Sequence, residues 1–267
     1  FDKDDVRNDI KEIKGKIEFK NLTFAYPKAD YNSLENVSFT INKGERIGII
    51  GKTGSGKTTL VDLILRTYNV NDNTLFIDDI DINKLPIKLV RENCAYVPQD
   101  NFLFSTTIAD NISFSKEDAT FDEIKNASVL ASLDENIQEF KDGYDTLLGE
   151  RGVTISGGQK QRTSIARALI KNASILILDD SVSAVDTKTE RVIINNLKET
   201  RKGKTTILIA HRISTIEQMD KVLLIDEGKV IAYGTPNVLY DTCKEYKQMV
   251  DLQKLEDEFG GEKLWAH

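Results

Sequence analysis

The chain has 267 residues, a formal net charge of −7, and 40% hydrophobic and 30% charged residues. That suits one large domain, or a main domain with a subdomain, whose core needs no disulfides. The acidic balance argues against non-specific nucleic-acid binding, the presence of only two histidines excludes a histidine-rich metal site, and no stretch approaches the ~18 apolar residues of a membrane-spanning helix.

In chain order, residues 1–15 are charged and weakly periodic, and read as a linker or tail. From Lys16 the pattern alternates, with Ile17, Phe19 and Leu22 against Glu18, Lys20 and Asn21, which predicts a strand. The strand ends at Phe24-Ala25-Tyr26-Pro27, and turn formers follow. Leu34 to Ile41 alternates again. Lys43-Gly44-Glu45 reads as a hairpin turn leading into Arg46-Ile47-Gly48-Ile49-Ile50, a short apolar run suited to a buried strand.

Gly51 to Thr58 reads G-K-T-G-S-G-K-T and fits the phosphate-loop pattern G-x-x-x-x-G-K-[ST] at every fixed position. Helical spacing from Thr59 to Leu65 supplies the required strand, loop and helix order. Glycines let successive N–H groups point at an anion, and the helix N-terminus adds donors and partial positive charge. The pattern nominates Gly51, Lys52, Thr53, Gly54, Ser55, Gly56, Lys57, Thr58 and Thr59 as triphosphate-binding residues. Lys57 reaches the phosphates, and the Thr58 hydroxyl can ligate Mg²⁺. A nucleoside triphosphate with Mg²⁺ is the expected ligand.

Further along, Thr74 to Ile77 and Ala95 to Val97 read as short strands, and residues 106–171 as helical. Ile175 to Leu178 is a continuous apolar run, as in a buried parallel strand. A helix (187–202), a strand (206–210), a helix (214–219) and a strand pair (221–225, 229–233) follow. Residues 237–259 read as helical and highly charged. Alternating β and α around a phosphate loop predict an α/β core. Cys94 and Cys243 match no metal spacing and read as reduced cytosolic thiols.

Asp179 closes the 175–178 run at a strand's carboxyl end, where such sheets bind ligands. A carboxylate there can hold Mg²⁺. Ile155-Ser156-Gly157-Gly158-Gln159 begins a second glycine-rich helix start, which reads either as an anion site or as a plain cap on Ser156.

Taken together, these motifs resemble the nucleotide-binding domain of ATP-binding cassette (ABC) transporters, from about residue 16 to 250. The resemblance implies a P-loop NTPase core with an N-terminal antiparallel β layer and an inserted helical subdomain at about 100–172. It makes residues 1–15 a linker from a transmembrane domain and 251–267 a C-terminal tail. I-S-G-G-Q differs from the family's L-S-G-G-Q signature only at Ile155. By position, Tyr26 matches the aromatic that stacks on adenine, Gln99 the glutamine that contacts Mg²⁺, and Ser183-Ala184-Val185-Asp186 the loop between paired domains. His211 matches the switch histidine at the γ-phosphate, and Gly149-Glu150-Arg151-Gly152 resembles a segment typical of exporters.

One position departs. The family carries Glu after the strand-end aspartate as the base, and here Asp180 stands there. Its side chain is shorter by about 1.5 Å, and an ångström-scale misplacement can cost on the order of 100-fold in rate. The expected catalytic set is Asp180, His211 and Lys57, with slow turnover at this chain's own site. The resemblance implies head-to-tail pairing with a second ATP-binding domain, either a different subunit carrying the Glu or a second copy. It also implies a location at the cytoplasmic face of the cell membrane, multidrug or lipid export, and no nucleic-acid partner. A non-transport ATPase and an ATP-gated module without turnover are the rival classes. The interval between phosphate loop and signature is compact and lacks sustained heptads, which disfavours the type acting on DNA ends.

Overall fold

A computed structural model describes residues 2, 5–149 and 154–258. The first part holds β1 (Ile17–Phe24), β2 (Leu34–Ile41), β3 (Arg46–Ile50), α1 (Lys57–Ile64), β4 (Leu75–Ile77), β5 (Ile80–Asp81), α2 (Ile87–Asn93) and β6 (Cys94–Val97). Helices α3 (Ile108–Ser113), α4 (Phe121–Leu130), α5 (Asp134–Gln138) and α6 (Gly157–Ile170) come next. The chain continues through β7 (Ile175–Asp179), α7 (Thr187–Thr200), β8 (Thr205–Ile209), α8 (Ile213–Ile216), β9 (Lys221–Asp226), β10 (Lys229–Gly234), α9 (Pro236–Thr242) and α10 (Lys244–Glu258).

These strands form two sheets. An antiparallel sheet has the order β2-β1-β4-β5, and a six-stranded sheet has the order β10-β9-β3-β8-β7-β6. The latter is parallel except for β10, which pairs antiparallel with β9. All five residues of β7 are buried, because both faces of this sheet are covered. Alternation then divides the core. Ile175 and Ile177 pack toward the antiparallel sheet, while Leu176 and Leu178 pack toward the helices. The parallel sheet is thus a partition between two apolar clusters, and its carboxyl edge collects the polar residues.

One expectation needs correction. Lys43-Gly44-Glu45 turns the chain, but it closes no hairpin: β2 pairs with β1, whereas β3 pairs with β8 and β9. Strand β2 has exposed positions among its buried ones, while four of five β3 residues are buried. The two therefore suit different sheets. The C-terminal stretch is helical as expected, in two helices separated where Cys243 is extended (φ −113°, ψ 111°). Helix α10 continues through residue 250 to Glu258 and buries Tyr246 and Val250. Near the other end, Ile13 is fully buried. The Asp78 carboxylate accepts from the N–H groups of Lys14, Gly15 and Lys16 at 2.5, 3.0 and 2.9 Å. The residues just before β1 are therefore part of the packed body.

Candidate active site

The phosphate loop joins the carboxyl end of β3 to α1. Gly51 is required by close approach, since a Cβ there would stand 2.0 Å from the Ile225 carbonyl oxygen. Lys57 begins α1 and is buried. Its ammonium donates to the carbonyls of Gly51 and Lys52, each at 2.7 Å. An ammonium has three hydrogens, so one remains for a phosphate oxygen. Burial lowers the Lys57 pKa, and the nearby carboxylates of Asp179, Asp180 and Asp226 oppose that shift.

The Ser55 hydroxyl is buried with no hydrogen-bond partner among the described residues. A buried hydroxyl left unsatisfied is costly, and a phosphate in this cradle would satisfy it. Thr58 Oγ1 lies 3.3 Å from Asp179 Oδ2. A hydroxyl beside a carboxylate is a hard oxygen pair of the kind Mg²⁺ takes, so these residues fit the ion. Tyr96, which the sequence reading did not single out, also donates to Asp179 Oδ2, at 3.4 Å. Burial raises the Asp179 pKa; the two hydrogen bonds and Lys57 pull it back, and Asp180 adds to the rise.

A cleft of about 490 Å³ opens over these groups. Its lining brings together Thr53, Gly54, Gly56, Lys57, Thr58 and Thr59 from the loop and α1. Gln99, Asp179, Asp180 and His211 join them from the ends of other strands, and Tyr26 from beyond β1. Gly51 and Lys52 line an adjoining, larger cavity beneath α10, of about 710 Å³, which also reaches His211. Tyr26 is held in place: its hydroxyl donates to Asp62 Oδ2 at 2.9 Å and lies 3.1 Å from the Thr59 hydroxyl. Phe24 and Tyr68 pack its ring at 5.2 and 5.1 Å between centroids.

Asp180 Oδ2 stands 3.9 Å from His211 Nε2. The Asp180 backbone is left-handed, with φ +46°. L-residues avoid that region, and Asp and Asn tolerate it better than most. Sequence reasoning could not see this constraint.

The signature residues Ile155 to Gln159 lie outside the cleft, at the start of α6. Ser156 caps that helix, and a capping box with Gln159 is complete: Gln159 N–H donates to Ser156 Oγ at 3.1 Å, and Ser156 N–H to Gln159 Oε1 at 2.9 Å. The loop Ser183-Ala184-Val185-Asp186 is also outside the cleft, against the signature. A Cβ on Gly158 would stand 3.0 Å from the Ala184 carbonyl oxygen. Gln161, buried, receives the Ala184 N–H at 2.9 Å and donates to Ser183 Oγ at 3.2 Å. From the other side Arg212, next to His211, donates to the Val185 carbonyl at 3.2 Å and pairs with buried Glu190. Gln161, Glu190 and Arg212 were not predicted, because their partners lie 22 or more residues away. Of Gly149 to Gly152, only Gly149 falls within the described residues.

Comparison with known proteins agrees. The ABC transporter family model matches residues 34–183. A probable multidrug resistance ABC transporter ATP-binding/permease protein of Bacillus subtilis is 44% identical over 247 residues, covering 92% of this chain and 42% of that protein. An ATP-dependent lipid A-core flippase of Haemophilus influenzae is 40% identical over 253 residues, covering 94% of this chain and 43% of the relative. The solved structure of a bacterial Atm1-family ABC exporter with ATP bound superposes with a TM-score of 0.89 at 35% identity, over 95% of this chain and 44% of that one. The chain spans less than half the length of the curated relatives it matches. With the phosphate loop, the signature and the strand-end carboxylates on one ABC ATPase scaffold, the chain belongs to the ABC transporter family.

Proposed function

We propose that this chain is the ATP-binding domain of an exporter at the cytoplasmic face of a membrane, and that ATP binding and hydrolysis drive its pairing and release. One observation carries the reading: phosphate loop, Asp179, Asp180, Gln99 and His211 share a cleft, while signature and dimer loop lie outside it. Residues that bind a partner's nucleotide belong outside their own cleft, so this division supports head-to-tail pairing. Residues 16–250 form the ATP-binding domain, with its helical subdomain at about 100–172. Residues 1–15 lead from a transmembrane domain, and 251–267 form a C-terminal extension.

Lys57 and the loop N–H groups bind and orient the phosphates. Thr58, Asp179 and Gln99 are the residues that would hold Mg²⁺. When bound, the ion neutralises charge on the β- and γ-phosphates. Asp180 orients the attacking water, and His211 contacts the γ-phosphate. Such catalysis is mostly positioning and electrostatics. A general base must be within hydrogen-bond reach of its water, and Asp180 is shorter than Glu. This chain's own site is therefore slow, and its partner is a different subunit with a full-length base. A multidrug or lipid cargo fits, as for the Bacillus subtilis and Haemophilus influenzae relatives.

ATP turnover of the full-length assembly tests this, for wild type and Asp180→Glu, each with and without the partner's base changed to Gln. Turnover should collapse when only the partner's base is lost, and Asp180→Glu should restore part of it. Turnover that survives that loss makes Asp180 a working base and a second copy of this chain the partner.

A further inference from the structure

The segment between β1 and β2 forms a wall of the nucleotide cleft that the phosphate-loop chemistry does not use. Tyr31, Asn32 and Ser33 line the cleft together with Tyr26 and Thr59. Backbone bonds fasten this segment. Ser33 N–H donates to the Phe24 carbonyl at 2.8 Å, and Glu35 N–H to the Gly228 carbonyl at 2.8 Å. Gly228 N–H in turn donates to the Ser55 carbonyl at 2.9 Å. A Cβ on Gly56 would stand 3.0 Å from the Ser33 carbonyl oxygen. Tyr31 is thus two residues from a point seated on the phosphate loop.

Tyr31 is nevertheless 72% exposed. A large aromatic held in a polar cleft with most of its surface uncovered invites a flat apolar ligand face. Tyr26, on the same cleft, is already fixed by Asp62, Phe24 and Tyr68. We propose that Tyr31 is a second aromatic contact for the base of the bound nucleotide, beside Tyr26, and so helps set selectivity for a nucleoside triphosphate over its phosphate chain alone. This rests on the ATP-binding reading above. The phosphates are gripped through Lys57 and backbone N–H groups, which do not sense Tyr31. The base offers a π-face that does, and such contacts are sequence-tolerant but strong enough to measure.

The test is titration of the full-length transporter with two probes, the β,γ-imido analogue of ATP and inorganic tripolyphosphate, both with Mg²⁺. Tyr31→Ala should weaken the nucleotide analogue about 5- to 100-fold and leave tripolyphosphate within about twofold. Tyr31→Phe and Tyr31→Trp should keep wild-type affinity, because the ring face and not the hydroxyl is used. The proposal is overturned if Tyr31→Ala leaves the analogue unchanged or weakens both probes equally. Lys57→Ala separates the two levels of the argument. If it affects neither probe, the ATP-binding reading fails. If it weakens both while Tyr31→Ala weakens neither, only the role of Tyr31 falls.

Discussion

Two glycine-rich turns start two helices in this chain, and they differ in what satisfies the helix end. At α1 the N-cap is Gly56, left-handed and without a side-chain cap. At α6, Ser156 and Gln159 close a capping box within the chain itself. A helix start leaves four N–H groups without intrahelical partners. The α1 start leaves them beside the Lys57 ammonium and the unpartnered Ser55 hydroxyl, an arrangement that is completed only when an anion arrives. At the α6 start the capping box satisfies the Gln159 N–H within the chain before any ligand arrives, so its glycines sit on a preshaped surface. One end is built to capture, the other to be presented.

The largest expected effect would break this contrast at its capturing end. Lys57→Ala should weaken MgATP binding about 10- to 100-fold, the usual weight of charge-assisted hydrogen bonds. Titration of the assembled transporter checks it. Equal weakening at this same cleft by Ser156→Ala would mean that the two helix ends do not differ as argued. The middle effect concerns presentation. Gln161→Met keeps the volume but removes both hydrogen bonds to the dimer loop, so turnover of the assembly should fall about tenfold through misplacement, with ATP affinity unchanged. Unchanged turnover would show that the loop holds its shape without Gln161. The smallest effect is on stability. Ser156→Ala removes the cap, worth about 1 kcal/mol, and should lower Tm by roughly 2–4 °C without altering MgATP affinity at this chain's own cleft, which Ser156 does not line. An unchanged Tm would mean that the box contributes nothing.

Much of this was legible because it is local. The phosphate loop, the apolar run of β7 and the alternation of β1 and β2 are written in adjacent residues. The hairpin expectation at Lys43-Gly44-Glu45 failed for a physical reason: turn residues mark where a chain bends, not which sheet receives the next strand. The break at Cys243 carries no glycine or proline to announce it. Tyr31 looked like one more residue in a turn-rich stretch, and only the bonds to Gly228 and the packing on Gly56 place it at the cleft. The tie between signature and dimer loop through Gln161 is tertiary, so no spacing rule finds it. Arg212 is similar, since its motif neighbour His211 was found while its own partner, Glu190, sits on another helix.

The left-handed backbone of Asp180 has a practical consequence. A variant meant to test the charge of Asp180 must leave that backbone unstrained. Asn is the replacement of choice here, since it keeps the size, tolerates the left-handed backbone and surrenders only the charge. Gln would lengthen the side chain and fit the backbone less well, so a preparation made with it would mix loss of charge with local distortion.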